Sequence, residues 1–221
     1  METLFNITVF VVLAAGAYLL FKIIKFFIHH EADHMRSLNL VFLKIAVPKK
    51  DSKQDMEDEQ ASMSAQKDFK EICGIGAHLF EALHSIYTHD VKHYLIGQDF
   101  FSLEYAVIDN QIYFYIVVPR ELRNLIEKQI TSYYPDCYVE QVEDYNIFGE
   151  NSRTAASLMY LHKDYIFPIK TYAQLHSDPL NNLTNVLSKL GHQDGAAIQI
   201  MVRPLKDGWQ EKGREEAKNI F

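Results

Sequence analysis

An uncharged apolar run near the N-terminus constrains this chain more than any other feature of its sequence. Residues 4–21 read LFNITVFVVLAAGAYLLF, and the apolar stretch continues through residue 28 with only Lys22 and Lys25 interrupting it. A helix needs about 20 apolar residues to cross the hydrocarbon core of a bilayer, and a lysine near its end extends its side chain to the lipid surface. The run therefore predicts a transmembrane helix.

The charges on either side of this run predict an uncleaved anchor and its orientation. Glu2 precedes the run, whereas a signal peptide begins with positive charge and ends at small residues. Lys22, Lys25 and Arg36 follow it, and cytoplasmic flanks of membrane helices are enriched in such residues. We therefore expect residues 1–36 to form a transmembrane anchor with a juxtamembrane helix. The protein would cross the plasma membrane once, and its anchor would contact the lipid bilayer directly. The remainder would lie in the cytoplasm.

The segment HEADH, residues 30–34, fits a pattern of zinc peptidases. In H-E-x-x-H, two histidines one helical turn apart bind zinc and the glutamate acts as general base. Asp33 places a charge at a position that is normally uncharged, and the sequence offers no evident third protein ligand. We therefore predict no metal site and no catalytic residues here, and place the histidines at the level of the lipid headgroups. A zinc-dependent hydrolase is the least favoured function.

Composition excludes several further classes of function. The chain has 221 residues, 48% of them hydrophobic and 23% charged, which is typical of a folded protein. Its net charge of -7 repels nucleic-acid phosphates, so no direct nucleic-acid binding is expected. The sequence contains no phosphate-binding loop, and Cys73 and Cys137 lie too far apart for a thiol metal or redox motif. We therefore predict a non-enzymatic protein without a cofactor.

Hydrophobic periodicity in residues 37–148 predicts an α+β domain. Alternation predicts strands over 39–48 and 137–145 and a hairpin over 100–119 that turns at Asp109-Asn110. Three- and four-residue spacing predicts helices over 65–89 and from Pro119 to Tyr134. This is the βαββαβ order of a ferredoxin-like sandwich, whose helices cover one face of the sheet. The polar stretch 49–66 lacks periodicity and is expected to be a disordered loop.

Residues 149–206 are expected to form a second, incomplete ββαβ unit. Its hairpin would span residues 153–172, its helix would begin after Asp178 and end at Gly191, and its strand would cover 196–204. Residues 207–221 read as the start of a truncated charged helix. Because that helix has buried no apolar stripe when the chain stops, Trp209 and Phe221 are candidate contacts with a partner protein.

Several segments resemble a bacterial membrane-anchored module. They are LVFLKIAVPK, FYIVVPRELRNLIEKQI, YYPDCYVEQVEDYNIF, YIFPIKTY and DPLNNLTNVLSKLGHQDGAAIQIMVRPLKDGWQ. The module precedes motor ATPases similar to the coupling proteins of type IV secretion and conjugation, and the resemblance runs from about Asn39 to Gln210. In such proteins the phosphate-binding loop lies downstream of the module. This chain ends before any motor, so the resemblance does not imply that it hydrolyses ATP.

These observations favour one function and leave an alternative open. The favoured function is a membrane-anchored, non-catalytic interaction or assembly module for a secretion or DNA-transfer ATPase, and it is compatible with a homo-oligomer. The alternative is a free-standing, membrane-tethered domain that binds a small ligand. The two differ in whether an ATPase is expected as a partner.

Overall fold

The structure is a computed structural model that describes residues 2–47, 65–149, 152–167, 169–175, 180–206 and 208–220. These residues form six helices and five strands in the order α1-β1-α2-α3-β2-β3-α4-β4-α5-β5-α6. The helices are α1 Glu2–Leu38, α2 Ala65–Leu83, α3 Val91–Ile96, α4 Arg123–Tyr133, α5 Leu180–Leu187 and α6 Gly208–Ile220. The strands are β1 Leu40–Ala46, β2 Phe101–Ile108, β3 Gln111–Pro119, β4 Tyr138–Val142 and β5 Ala196–Val202. Short 3-10 turns cover His84–Ile86, Arg120–Leu122 and Tyr172–Gln174.

Helix α1 is one continuous helix of 37 residues. At 1.5 Å per residue it is about 56 Å long. Every side chain from Phe5 to Ile24 is exposed, and the helix is long and apolar enough to span a membrane. The predicted apolar N-terminal helix is therefore confirmed, whereas the side of the membrane on which the rest lies stays a prediction.

The five strands form one antiparallel sheet in the order β4-β1-β3-β2-β5. The tight β2-β3 hairpin turns at Asp109 and Asn110, whose φ angles of 51° and 63° are both positive. Two-residue hairpin loops favour such turns because their backbone twist matches that of the flanking strands, and Asp and Asn tolerate the left-handed region. The α+β class and the hairpin are confirmed.

The main core lies between one sheet face and helices α2 and α4. Alternate residues of each strand point to this face, because side chains alternate across a sheet. The buried side chains that form the core are Val41, Leu43, Leu79, Leu83, Ile86, Phe101, Ile116, Val118, Ile126 and Ile130. Leu79 and Leu83 of α2 and Ile126 and Ile130 of α4 are the buried residues that these helices contribute to the core.

The helix expected over residues 65–89 ends earlier, at Leu83, and this part of the prediction is wrong. Tyr87 adopts an extended backbone conformation. The side-chain amide of Gln98 then accepts a hydrogen bond from the Thr88 N–H and donates one to the Thr88 carbonyl. Because both backbone groups of Thr88 are bonded in this way, helix continuation is not needed to satisfy them.

The hairpin expected over residues 153–172 is also wrong, because residues 152–167 and 169–175 contain no strand. The following helix and strand are present as α5 and β5. β5 pairs with β2 at the edge of the first sheet rather than with a second sheet. Residues 49–64 of the expected loop lie outside the described residues, while residues 65 and 66 begin α2. The predicted boundary near residue 148 stays a prediction.

Candidate interaction site

Arg36 joins α1 to the loop that follows α3. Its side chain is only 10% exposed. The guanidinium bonds the Asp99 carboxylate at 3.0 Å and the Asp33 carboxylate at 2.8 Å, and it donates to the backbone carbonyls of Ile96 and Gly97. Charge-assisted bonds from a planar fork fix both distance and direction. This junction therefore orients α1 relative to the sheet.

Two further contacts extend the junction along α1. The Lys25 ammonium lies 3.5 Å from the centroid of the Tyr94 ring on α3, which is a cation-π geometry. Gly97 has a φ of 84°, and a Cβ at this position would meet the ring of His29. A glycine is required here by the backbone conformation and by the space that the His29 ring occupies.

Asp33, the residue that argued against zinc in HEADH, lies between two arginines. One oxygen of its carboxylate accepts bonds from Arg36 at 2.8 Å and from Arg203 at 3.1 Å. Arg203 directly follows β5, and its guanidinium lies 5.5 Å from the ring centroid of Phe100. Asp33 therefore ties α1 to the end of the edge strand β5 as well as to the loop after α3.

Tyr145 spans the sheet face opposite α2 and α4. Its ring stacks on Tyr115 of β3 at 4.8 Å between centroids and meets Phe42 of β1 edge-on at 6.0 Å. Its hydroxyl donates to the Glu104 carboxylate of β2 at 2.6 Å and accepts from Gln199 of β5 at 3.5 Å. One side chain thus contacts four of the five strands.

The environment of Tyr145 favours its neutral form. Burial, together with its hydrogen bond to Glu104, raises the pKa of the Tyr145 hydroxyl above its ordinary value of 10.0. Glu104 is 5% exposed, and Tyr145 supplies a hydrogen-bond donor to its carboxylate. A buried carboxylate without a donor is costly, so this bond links the segment after β4 to the centre of the sheet.

Apolar side chains are exposed in the segment after this contact. Leu158, Met159 and Tyr160 are each 86% exposed, and Leu161 is 58% exposed. None of these residues lies in a helix or strand. We call residues 158–161 the apolar segment. Contiguous exposed apolar surface of this kind marks sites of contact with other molecules.

Trp209, one of the two predicted partner contacts, lines a cleft next to this part of the chain. The cleft has a volume of about 400 Å³ and is also lined by Tyr165, Leu205, Lys206 and Gly208. Gly208 and Trp209 are the first two residues of helix α6, and Trp209 is 41% exposed. Phe221, the other predicted contact, lies outside the described residues.

The histidines of HEADH belong to α1 and have non-metal neighbours. The ring of His30 stacks on Phe26 at 6.4 Å between centroids, and the backbone carbonyl of His34 accepts a hydrogen bond from the Ser37 hydroxyl. Among the side chains that the structure describes, no group of three or more His, Cys, Asp or Glu is placed to hold a metal ion.

Sequence reasoning missed α3 and the contacts made by Arg36 and Tyr145. Six residues are too few for a helical period to be visible. The sequence nevertheless carries signals for the two ends of α3. Asp90 caps its N-terminus by accepting a hydrogen bond from the His93 N–H, and Gly97 follows its last turn. Arg36 was interpreted only as a charge that sets orientation. Neither its burial nor the long-range bond of Tyr145 has a local sequence signature.

Together these features define an antiparallel-sheet α+β protein with an apolar helix fixed to the sheet. The family described as Domain of unknown function (DUF8128) matches residues 51–220. The chain therefore belongs to this family. The match begins after α1 and β1, although β1 lies between β4 and β3 in the sheet. No curated protein and no solved structure matched the chain.

Proposed function

We propose that this protein is a membrane-anchored, non-catalytic assembly module that holds an interaction surface at the cytoplasmic face of the membrane. Its partner would be a motor ATPase of the secretion or DNA-transfer class. Helix α1 would cross the plasma membrane once, and the sheet would lie directly beyond it. The proposal extends the resemblance seen in the sequence to a particular surface of the chain.

The observation that carries the proposal is the exposure of the apolar segment. Three consecutive large side chains, Leu158, Met159 and Tyr160, are 86% exposed. Burying an apolar side chain of this size on association stabilises a complex by about 1.5–3 kcal/mol before ordering costs. The cores of protein interfaces are apolar and rich in aromatic side chains. The apolar segment is therefore better suited to an interface than to contact with water.

The apolar segment is supported by a neighbouring surface. Tyr165, which follows the apolar segment by four residues in the sequence, lines the cleft with Trp209, and Gly213 of α6 lies close to the backbone carbonyl of Ile166. Aromatic side chains such as these are enriched among residues that dominate binding energies. We propose that the apolar segment and Trp209 contact the same partner.

For the fold, we propose a ferredoxin-like sandwich with one added strand. The order β4-β1-β3-β2 and the βαββαβ sequence of elements support it. β5 would be an addition at the β2 edge, and α3 an insertion between α2 and β2. In this arrangement the helices α2 and α4 lie on one face, and Tyr145 covers the other.

Site-specific photocrosslinking in native membranes tests the function. A photoreactive phenylalanine analogue replaces Tyr160 in the full chain, and adducts are identified by mass spectrometry. We expect an adduct with a protein that carries a G-x-x-x-x-G-K-[S/T] loop. The pair Leu158→Ser with Met159→Ser should lower the yield of this adduct because it removes apolar contact area without touching the core.

The control for this experiment is the same analogue at Tyr138, which is 65% exposed on β4 at the far edge of the sheet. We expect a much lower yield of the ATPase adduct from position 138 than from position 160. It would be contradicted by equal adducts at both positions, by no adduct at 160, or by an adduct only with proteins that lack the phosphate-binding loop.

The alternative of a ligand-binding domain has one supporting feature. The cleft beside Trp209, at about 400 Å³, falls within the range of small-molecule sites, which span about 300–1,000 Å³. The open face of the sheet offers no such support, because Tyr145 covers it. Binding of a small molecule by the purified chain, abolished by Trp209→Ala and accompanied by no ATPase adduct, would favour this alternative.

A further inference from the structure

We propose that α3 is a second membrane contact, which inserts Val91 and Tyr94 among the headgroups of an anionic phospholipid bilayer beside the exit of α1. Lys92 and Lys25 would face the lipid phosphates. This inference rests on the proposed membrane anchoring of α1, and it adds a surface of the folded domain to that interface.

The position of Tyr94 along α1 carries the inference. The 20 residues from Phe5 to Ile24 would span about 30 Å, the thickness of the hydrocarbon core of a bilayer. Lys22 and Lys25 then lie at the lipid surface. Because the Lys25 ammonium is 3.5 Å from the Tyr94 ring centroid, Tyr94 lies at that same level.

The direction of α3 follows from its second attachment. The carbonyls of Ile96 and Gly97, at its C-terminal end, accept bonds from Arg36. Gly97 also packs against the ring of His29, which is four residues beyond Lys25 and therefore about 6 Å further along α1. Helix α3 therefore approaches the lipid surface towards its N-terminus, and Val91 lies on the face of Tyr94 because the two are three residues apart.

The side chains exposed on this face of α3 are suited to the headgroup layer of a bilayer. Val91 is 75% exposed and Tyr94 is 61% exposed. Tyrosine is enriched at membrane interfaces, where its ring is partly buried and its hydroxyl stays hydrated. Phe26 and Phe27 of α1 are also exposed at this level.

The carboxylates next to α3 have partners of their own, and Lys92, which also interacts electrostatically with Asp90, keeps an exposed side chain. The Asp90 carboxylate accepts from the backbone and ring nitrogens of His93, and Asp99 bonds Arg36. Lys92 is exposed beside them. A lysine near an anionic membrane surface attracts it with about 1 kcal/mol, so anionic lipid fits better than zwitterionic lipid.

Fluorescent probes in the full chain test the inference. In a Cys73→Ser, Cys137→Ser background, an environment-sensitive dye is attached to a single cysteine at Val91, Val12 or Tyr138. The protein is reconstituted into vesicles of phosphatidylcholine with phosphatidylglycerol. We expect the dye at 91 to be quenched by headgroup spin labels and the dye at 12 by acyl-chain spin labels. The dye at 138 should be quenched by neither.

The outcomes separate this inference from the proposed anchoring. A dye at 91 that reports water while the dye at 12 is quenched overturns the contact of α3 and leaves the anchor intact. Water at both positions overturns both. A dye at 91 that is shielded only in native membranes, and not in lipid vesicles, assigns this face to a protein and also overturns the inference.

A variant that removes the charge of Lys92 tests its role separately. Lys92→Gln should lower the quenching at position 91 in the anionic vesicles and leave it unchanged in phosphatidylcholine alone. Lys128→Gln, an exposed lysine on α4, is the matched control and should change neither. Equal effects of the two variants would contradict an electrostatic role for Lys92.

Discussion

At the scale of single residues, long-range polar contacts determine how the surface segments attach to the sheet. Tyr145 is the clearest case, because one hydroxyl satisfies the buried Glu104 carboxylate from a segment that has no regular structure. Sequence patterns revealed neither partner. Alternation placed Glu104 within a strand, but the face on which it would be buried, and the donor 41 residues away, depend on the tertiary fold.

Tyr145→Phe should lower the free energy of unfolding by about 1–3 kcal/mol, since it keeps the ring and leaves a buried carboxylate without its donor. Urea unfolding of the full chain in detergent, followed by near-ultraviolet circular dichroism, measures this. Tyr113→Phe is the control, because the Tyr113 hydroxyl bonds only an exposed Gln111 side chain in the described structure, and should change the value by less than about 0.5 kcal/mol. Equal losses in the two variants would contradict the role of Tyr145.

The raised pKa of Tyr145 also predicts how the free energy of unfolding depends on pH. The folded state raises the pKa of Tyr145 above 10.0, so it holds the phenol proton more tightly than the unfolded chain does. This contribution is complete below the unfolded pKa and is lost as the pH rises above it. The parent should therefore lose stability more steeply above pH 10.0 than Tyr145→Phe, whereas Tyr113→Phe should follow the parent.

At the scale of elements, local periodicity predicted those helices and strands that pack by a regular face. The β2-β3 hairpin and α4 were predicted because their alternation and helical spacing match the faces they bury, whereas β5 was predicted from a continuous apolar run. Residues 153–172 were predicted to form a hairpin, but residues 153–167 and 169–172 contain no strand, since a strand-like pattern does not specify a pairing partner. The edge of β2 pairs with β5 instead. Helix α3 was missed because it is short and is held by Arg36.

The joint between α1 and α3 gives a prediction for Gly97. Gly97→Ala should destabilise the fold by about 1–3 kcal/mol, because its backbone conformation with φ of 84° is strained for alanine and the new methyl group meets the His29 ring. Adding His29→Ala should recover only part of this loss, since the strain persists. Gly208→Ala, where nothing lies within 4 Å of a new Cβ, is the control. Unfolding in urea that is unchanged by Gly97→Ala would refute the described joint.

At the scale of the whole molecule, α1 and the sheet are joined so that we expect them to move as one rigid unit. Arg36 and Asp33 join α1 to the loop after α3 and to Arg203 beyond β5. A rigid joint would hold the apolar segment and Trp209 in a fixed direction relative to the bilayer. Such preorganisation favours assembly because less motion is lost when a partner binds.

A distance measurement in lipid nanodiscs tests this claim most directly. Spin labels are placed at Leu20 on α1 and Tyr138 on β4 of the full chain, with Cys73 and Cys137 replaced by serine, and pulsed electron resonance gives the distribution of distances between them. The account predicts one narrow distribution that broadens in Arg36→Gln and stays narrow in Arg214→Gln, a change at an exposed arginine of α6. A broad distribution in the parent, or equal widths in the parent and Arg36→Gln, would contradict it.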